Sequence, residues 1–164
     1  MSQQHSPQTL AEAQQLFKKK AYPEALELCK ILRGRYGPQA SILSLEALIH
    51  KQSGDLEQAG KSIELALSQK PTDAGILFTA ALINRQLKNF DRAKKQAMKA
   101  SREAPDNQQI ICQCAVILGN IGEGKNALHI LEKYIQRNPG EAQAWYLVGK
   151  FQADLKNSEA ADYA

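Results

Sequence analysis

The chain has 164 residues, 43% hydrophobic and 23% charged, a balance that excludes a disordered polar chain. Lys and Arg number 21 against 17 acids, and the resulting net charge of +4 is too small and too scattered for a nucleic-acid footprint. No run of about 18 apolar residues offers a membrane span, Met1–Ser6 lacks the regions of a secretory leader, and three cysteines cannot close into pairs, so a reducing, cytoplasmic setting is expected.

Residues 1–7 read as a polar tail, and a single repeat array is expected over residues 8–164. Ser6-Pro7 has the form of a helix start, and Leu10, Ala13, Leu16 and Phe17 follow at helical spacing. Ala21-Tyr22-Pro23 turns the chain into a second helix with Ala25, Leu26, Leu28, Cys29 and Leu32, and Gly37-Pro38 ends it. The plan recurs from Ala40, with a turn at Ser53-Gly54-Asp55 and a close at Pro71. Gly54 suits a left-handed helix end, while Asp55 and Asp73 suit the cap of the helix that follows each. A third unit turns at Lys88-Asn89 and closes at Pro105; a fourth turns around Gly122 and closes at Pro139-Gly140. A fifth begins at Ala144-Trp145 and is expected to turn at Lys156-Asn157-Ser158. The units therefore span about 6–39, 40–73, 74–107, 108–141 and 142–164, the last incomplete, so the natural chain is expected to continue beyond Ala164.

Ala25, Ala59, Ala93, Ala127 and Ala161 stand 34 residues apart, and so do Ala13, Ala47, Ala81, Ala115 and Gly149. Helices that pack at about 8–10 Å need small side chains where they cross. Two series of small residues in phase therefore mark the crossing point inside each helix pair.

With Leu43, Ala47, Gly54, Ala59, Ala66 and Pro71 in the second unit and Leu77, Ala81, Phe90, Ala93, Ala100 and Pro105 in the third, the chain resembles the tetratricopeptide repeats. Ile111, Ala115, Ala127 and Pro139 continue the pattern, as do Trp145, Val148, Gly149 and Ala161. The first unit departs from it at Thr9 and Glu12, as a capping unit would. The resemblance implies an all-α, right-handed superhelical array of antiparallel helix pairs, an α-solenoid whose concave face holds protein or peptide ligands.

Stepping the register from unit to unit places Leu48 and Lys51, then Phe78, Leu82 and Arg85, then Cys112 and Val116, then Tyr146 and Lys150 on that inward face. Its middle is apolar and its edges are cationic, a composition suited to a hydrophobic or amphipathic partner segment. Leu10, Gln14, Leu48, Phe78 and Leu82 stand where relatives of the family carry the polar residues that grip a terminal carboxylate, so that mode of binding is not expected.

No catalytic, cofactor or metal site is expected. Gly119–Lys125 with Asn126 mimics a phosphate-binding loop, but it follows a helix and lacks the hydroxyl that would meet magnesium. Cys112 and Cys114 point about 200° apart around a helix and read as packing residues. His5, His50 and His129 have no ligand sets. Lys18–Lys20, and Lys95, Lys99 and Arg102 beside Lys94, read as solvated faces. Three readings result: a non-catalytic interaction scaffold; a regulatory or substrate-presenting domain of a larger enzyme such as a sulfotransferase or glycosyltransferase; and a module that self-associates through exposed array ends.

Overall fold

The computed structural model describes residues 9–162, with side chains described for 9–158. Ser6-Pro7, His5, Tyr163 and the side chain of Ala161 lie outside that range. The described chain is helical throughout its regular structure, and no strand occurs among the described residues.

Two compact units divide at Pro71. The first contains α1 (Leu10–Lys18), α2 (Tyr22–Tyr36), α3 (Ala40–Gln52) and α4 (Leu56–Gln69); the second contains α5 (Ala74–Gln86), α6 (Phe90–Glu103), α7 (Gln108–Asn120), α8 (Gly124–Arg137) and α9 (Ala142–Asp162). The helices α3, α5, α7 and α9 start at Ala40, Ala74, Gln108 and Ala142. Helices pack in consecutive pairs, α1 on α2, α3 on α4, α5 on α6 and α7 on α8. Within each unit the next pair stacks alongside, as in an all-α solenoid: α2 on α3 in the first, α6 on α7 and α8 on α9 in the second.

Each pair is joined by the same left-handed helix end. Lys20 (φ 62°), Gly54 (φ 85°), Lys88 (φ 60°) and Gly122 (φ 83°) occupy one position of the repeat, 34 residues apart. The following amide reaches back to the carbonyl five residues earlier, Ala21 to Leu16, Asp55 to His50, Asn89 to Asn84 and Glu123 to Leu118, at 2.8–3.0 Å. This double-bonded end satisfies carbonyls that the helix would otherwise leave open. Asp55, Asp73 and Asn107 then cap α4, α5 and α7 through their side chains.

Where a lysine takes the strained position, another contact holds the turn. In the first pair the Phe17 and Tyr22 rings meet at 5.7 Å. In the third, buried Asn84 accepts from Asn89 Nδ2 at 3.2 Å and donates to Gln96 Oε1 at 3.0 Å.

Thr9 and Glu12, the two departures in the first unit, form a capping box: Thr9 Oγ1 accepts from the Glu12 amide, and the Glu12 carboxylate accepts from the Thr9 amide. Polar residues stand there because they start α1.

The expected turn at Lys156-Asn157-Ser158 does not form, and α9 runs unbroken through it. Lys156 stands at the left-handed position, where a side chain costs about 1–2 kcal/mol. Neither lock offsets it: Ala153 and Ser158 replace the Phe17–Tyr22 pair, and exposed Gln152 replaces Asn84. Gly149 is accordingly not a crossing point; it is exposed, with open space above its Cα.

The other small residues do mark crossings. Ala13, Ala47, Ala81 and Ala115 on first helices, and Ala25, Ala59, Ala93 and Ala127 on second helices, are all 0% exposed. Between pairs, Gly119 of α7 lies against Phe151 of α9 so closely that a Cβ there would enter the ring.

Ala93→Leu is expected to overpack the α5–α6 crossing and lower stability by about 1–3 kcal/mol, read as a lower urea midpoint. Lys88→Gly relieves the left-handed strain and is expected to raise stability by about 1 kcal/mol in the same measurement.

Candidate functional site

The inward-face residues divide between the two units. In the second, α5 packs on α7 and α7 on α9, so Phe78, Leu82 and Arg85, Cys112 and Val116, and Tyr146 and Lys150 lie on three successive first helices. In the first unit, Leu48 and Lys51 lie one turn apart on α3, both half-buried.

Phe78, Leu82 and Val116 are half-buried, leaving apolar surface open to a ligand. Cys112 is 2% exposed, so it packs beneath this surface rather than contributing to it. A thiol is small enough to fill the seam between neighbouring helices. Tyr146 is 70% exposed and Lys150 is exposed as well. Trp145, on the adjoining face, holds the start of α9 by donating from Nε1 to the Pro139 carbonyl at 2.8 Å.

Arg85 is the one charged residue on α5 and α7. It is half-buried, and its Nε is enclosed without a hydrogen-bond partner. An enclosed unpaired donor costs about 1–3 kcal/mol. A neighbouring acid that drew the guanidinium outward would remove that cost.

The chemistry-bearing residues elsewhere are occupied with packing. Burial pushes the Cys29 and Cys114 thiols up to about 12, Cys29 with help from the Glu46 carboxylate. Burial also raises Cys112. Thiols so held are poor nucleophiles. The Gly119–Lys125 segment is the end of α7, its left-handed turn at Gly122 and the start of α8. No cluster of His, Cys, Asp or Glu among the described residues has the geometry of a metal site, and none of the described helices is long and apolar enough to cross a membrane.

One buried charge in the first unit was not legible in the pattern. Glu46 is 2% exposed at the position occupied by Ala80, Cys114 and Val148 in the later repeats. Its Oε2 accepts from Arg33 Nη1 at 3.1 Å, while Oε1 is enclosed without a partner. Burial raises the Glu46 carboxyl above its ordinary range, against the pull of Arg33. The raised arginine-paired acid shows that desolvation outweighs the ion pair.

The second unit thus brings Phe78, Leu82 and Val116 onto successive first helices, with Arg85 and Lys150 on the first and last of them. The family model described as tetratricopeptide repeat matches residues 40–73 and 74–107. No curated protein sequence matches the chain.

Among solved structures, a chain of the Naa15/Naa10 complex bound to HypK-THB is similar over 94% of this chain and 23% of its own length, with 20% identity and a TM-score of 0.74. This chain thus spans about a quarter of that neighbour. MamA is similar over 92% of this chain and 89% of its own, with 16% identity and a TM-score of 0.69. YrrB, a tetratricopeptide-repeat protein with an unusual peptide-binding site, is similar over 90% and 76%, with 18% identity and a TM-score of 0.67. At these identities the likeness is one of fold.

A carboxyl with a raised folded-state pKa binds its proton more readily in the folded chain than in the unfolded one. Its stabilising contribution is full in acid and is lost as pH rises above 4.5 through the folded value. Glu46→Gln, which cannot ionise, is expected to gain stability relative to the parent between about pH 4 and pH 7, measured by urea unfolding at each pH.

Proposed function

We propose that this chain is a non-catalytic interaction scaffold that holds an apolar or amphipathic segment of a protein partner on the inward face of its first helices. The observation that carries this reading is the half-buried stripe of Phe78, Leu82 and Val116 with Arg85 and Lys150 at its margins. Covering partly open apolar side chains returns about 25 cal/mol for each Å² removed from water. The cations at the edge orient an acidic end of the segment and speed its encounter. Leu48 and Lys51 offer the same chemistry on α3 of the first unit.

Two neighbours of the same fold support a binding role, one solved in a complex bound to HypK-THB and one described by its peptide-binding site.

Peptides selected from a random library on the parent chain test the assignment. They are expected to share an apolar core, and to bind the Phe78→Glu, Leu82→Glu double variant at least about tenfold more weakly, a loss of about 1.4 kcal/mol. Circular dichroism checks that the variant stays helical. Equal affinity for the folded variant would show that the stripe is only packing.

A further inference from the structure

The outer helices of the second unit differ sharply in chemistry from the inner ones. α6 carries five basic residues against two acids and α8 three against one, while α5 and α7 share the single charge of Arg85. Lys94 is neutralised by Glu123, whose carboxylate it meets at 2.7 Å. Arg102, Lys133 and Arg137 stand further along the two helices.

There an open cavity of about 370 Å3 lies between α6 and α8. Its floor is apolar, formed by buried Ile111 and Ile130 with half-buried Met98. Arg102, Lys133 and Arg137 rise around it, with His129 beside them. Arg137 is held in place: Nη2 donates to the Pro105 carbonyl at 2.9 Å, and Nε stands 3.6 Å from Asp106 Oδ1. Arg102 and Lys133 are exposed, and no described carboxylate lies within ion-pair distance of either.

We propose that this cavity is a second docking site, for an acidic segment of a protein partner that inserts one bulky apolar side chain. The floor removes that side chain from water, and Arg102 and Lys133 receive carboxylates on either side of it. Arg137, already fixed by backbone and Asp106, forms the end wall. The volume stands at the bottom of the range of about 300–1,000 Å3 usual for small-molecule sites, so it suits one side chain rather than a cofactor.

Charge complementarity selects an acidic guest, and the lining selects among acidic guests. It holds no Phe, Tyr or Trp ring on which a base could stack. Glu103 and Glu132 on the same two helices and Asp106 beside Arg137 leave few cations for the many phosphate contacts that nucleic-acid affinity needs. Phe78, Leu82 and Val116 take no part in the lining, so the site is separate from the inward stripe.

The test uses the full chain and a fluorescein-labelled octapeptide of glutamates around one central leucine, followed by anisotropy at low and moderate salt. Saturable, salt-sensitive binding is expected, weakened at least about tenfold by Arg102→Glu with Lys133→Glu. Phe78→Glu with Leu82→Glu is expected to leave it unchanged, and a central serine in place of leucine to weaken it several-fold. Both charge reversals fall on exposed residues, and circular dichroism verifies that the variant is folded. The proposal is overturned by absence of binding, by equal binding to the Arg102 and Lys133 variant, by indifference to leucine or serine, or by tighter binding of a single-stranded oligonucleotide.

Discussion

Everything in this fold depends on how closely the two helices of a pair approach. Four first-helix alanines and four second-helix alanines, each fully enclosed, bring the two backbones together at the same point of each pair. A larger side chain there would separate the helices and break the contacts on either side. Because close approach uses so little side-chain volume, the remaining helix faces are free to carry other chemistry. That freedom allows α5 and α7 to present apolar surface while α6 and α8 carry most of the basic residues of their unit.

The turns convert this packing into a fixed geometry. A left-handed residue recurs at every joint from Lys20 to Gly122, and its paired backbone bonds determine where the second helix begins. Within each unit, residues one and two turns apart on successive first helices consequently fall in register. The buried thiols and the arginine-paired Glu46 belong to the interior, where protonation affects stability rather than reaction.

Much of this was legible along the chain. The helix starts at Ala40, Ala74, Gln108 and Ala142 follow a 34-residue period, because proline and a capping residue end and start helices through local backbone chemistry. The alanine crossings were equally legible in the first four pairs, since a small residue at a fixed interval has few other causes. Asp55 and Asp73 announced their caps for the same local reason. Thr9 and Glu12 were legible as departures from the repeat, but not as the capping box they form.

What the sequence by itself determined is therefore periodic and local: helix starts, helix ends, the crossing points and the row of residues on the first helices. Tertiary structure decided the rest, because burial depends on neighbours distant in the chain. It enclosed Cys112 and left Tyr146 open, though both hold matched places in the register. It kept α9 straight where the tripeptide Leu155-Lys156-Asn157 copies a turn, since the buried amide that secures Leu87-Lys88-Asn89 comes from Asn84, and exposed Gln152 supplies no such lock. It also gathered Arg102, Lys133 and Arg137 from separate repeats around one apolar floor, a grouping that only the packing of α6 beside α8 creates.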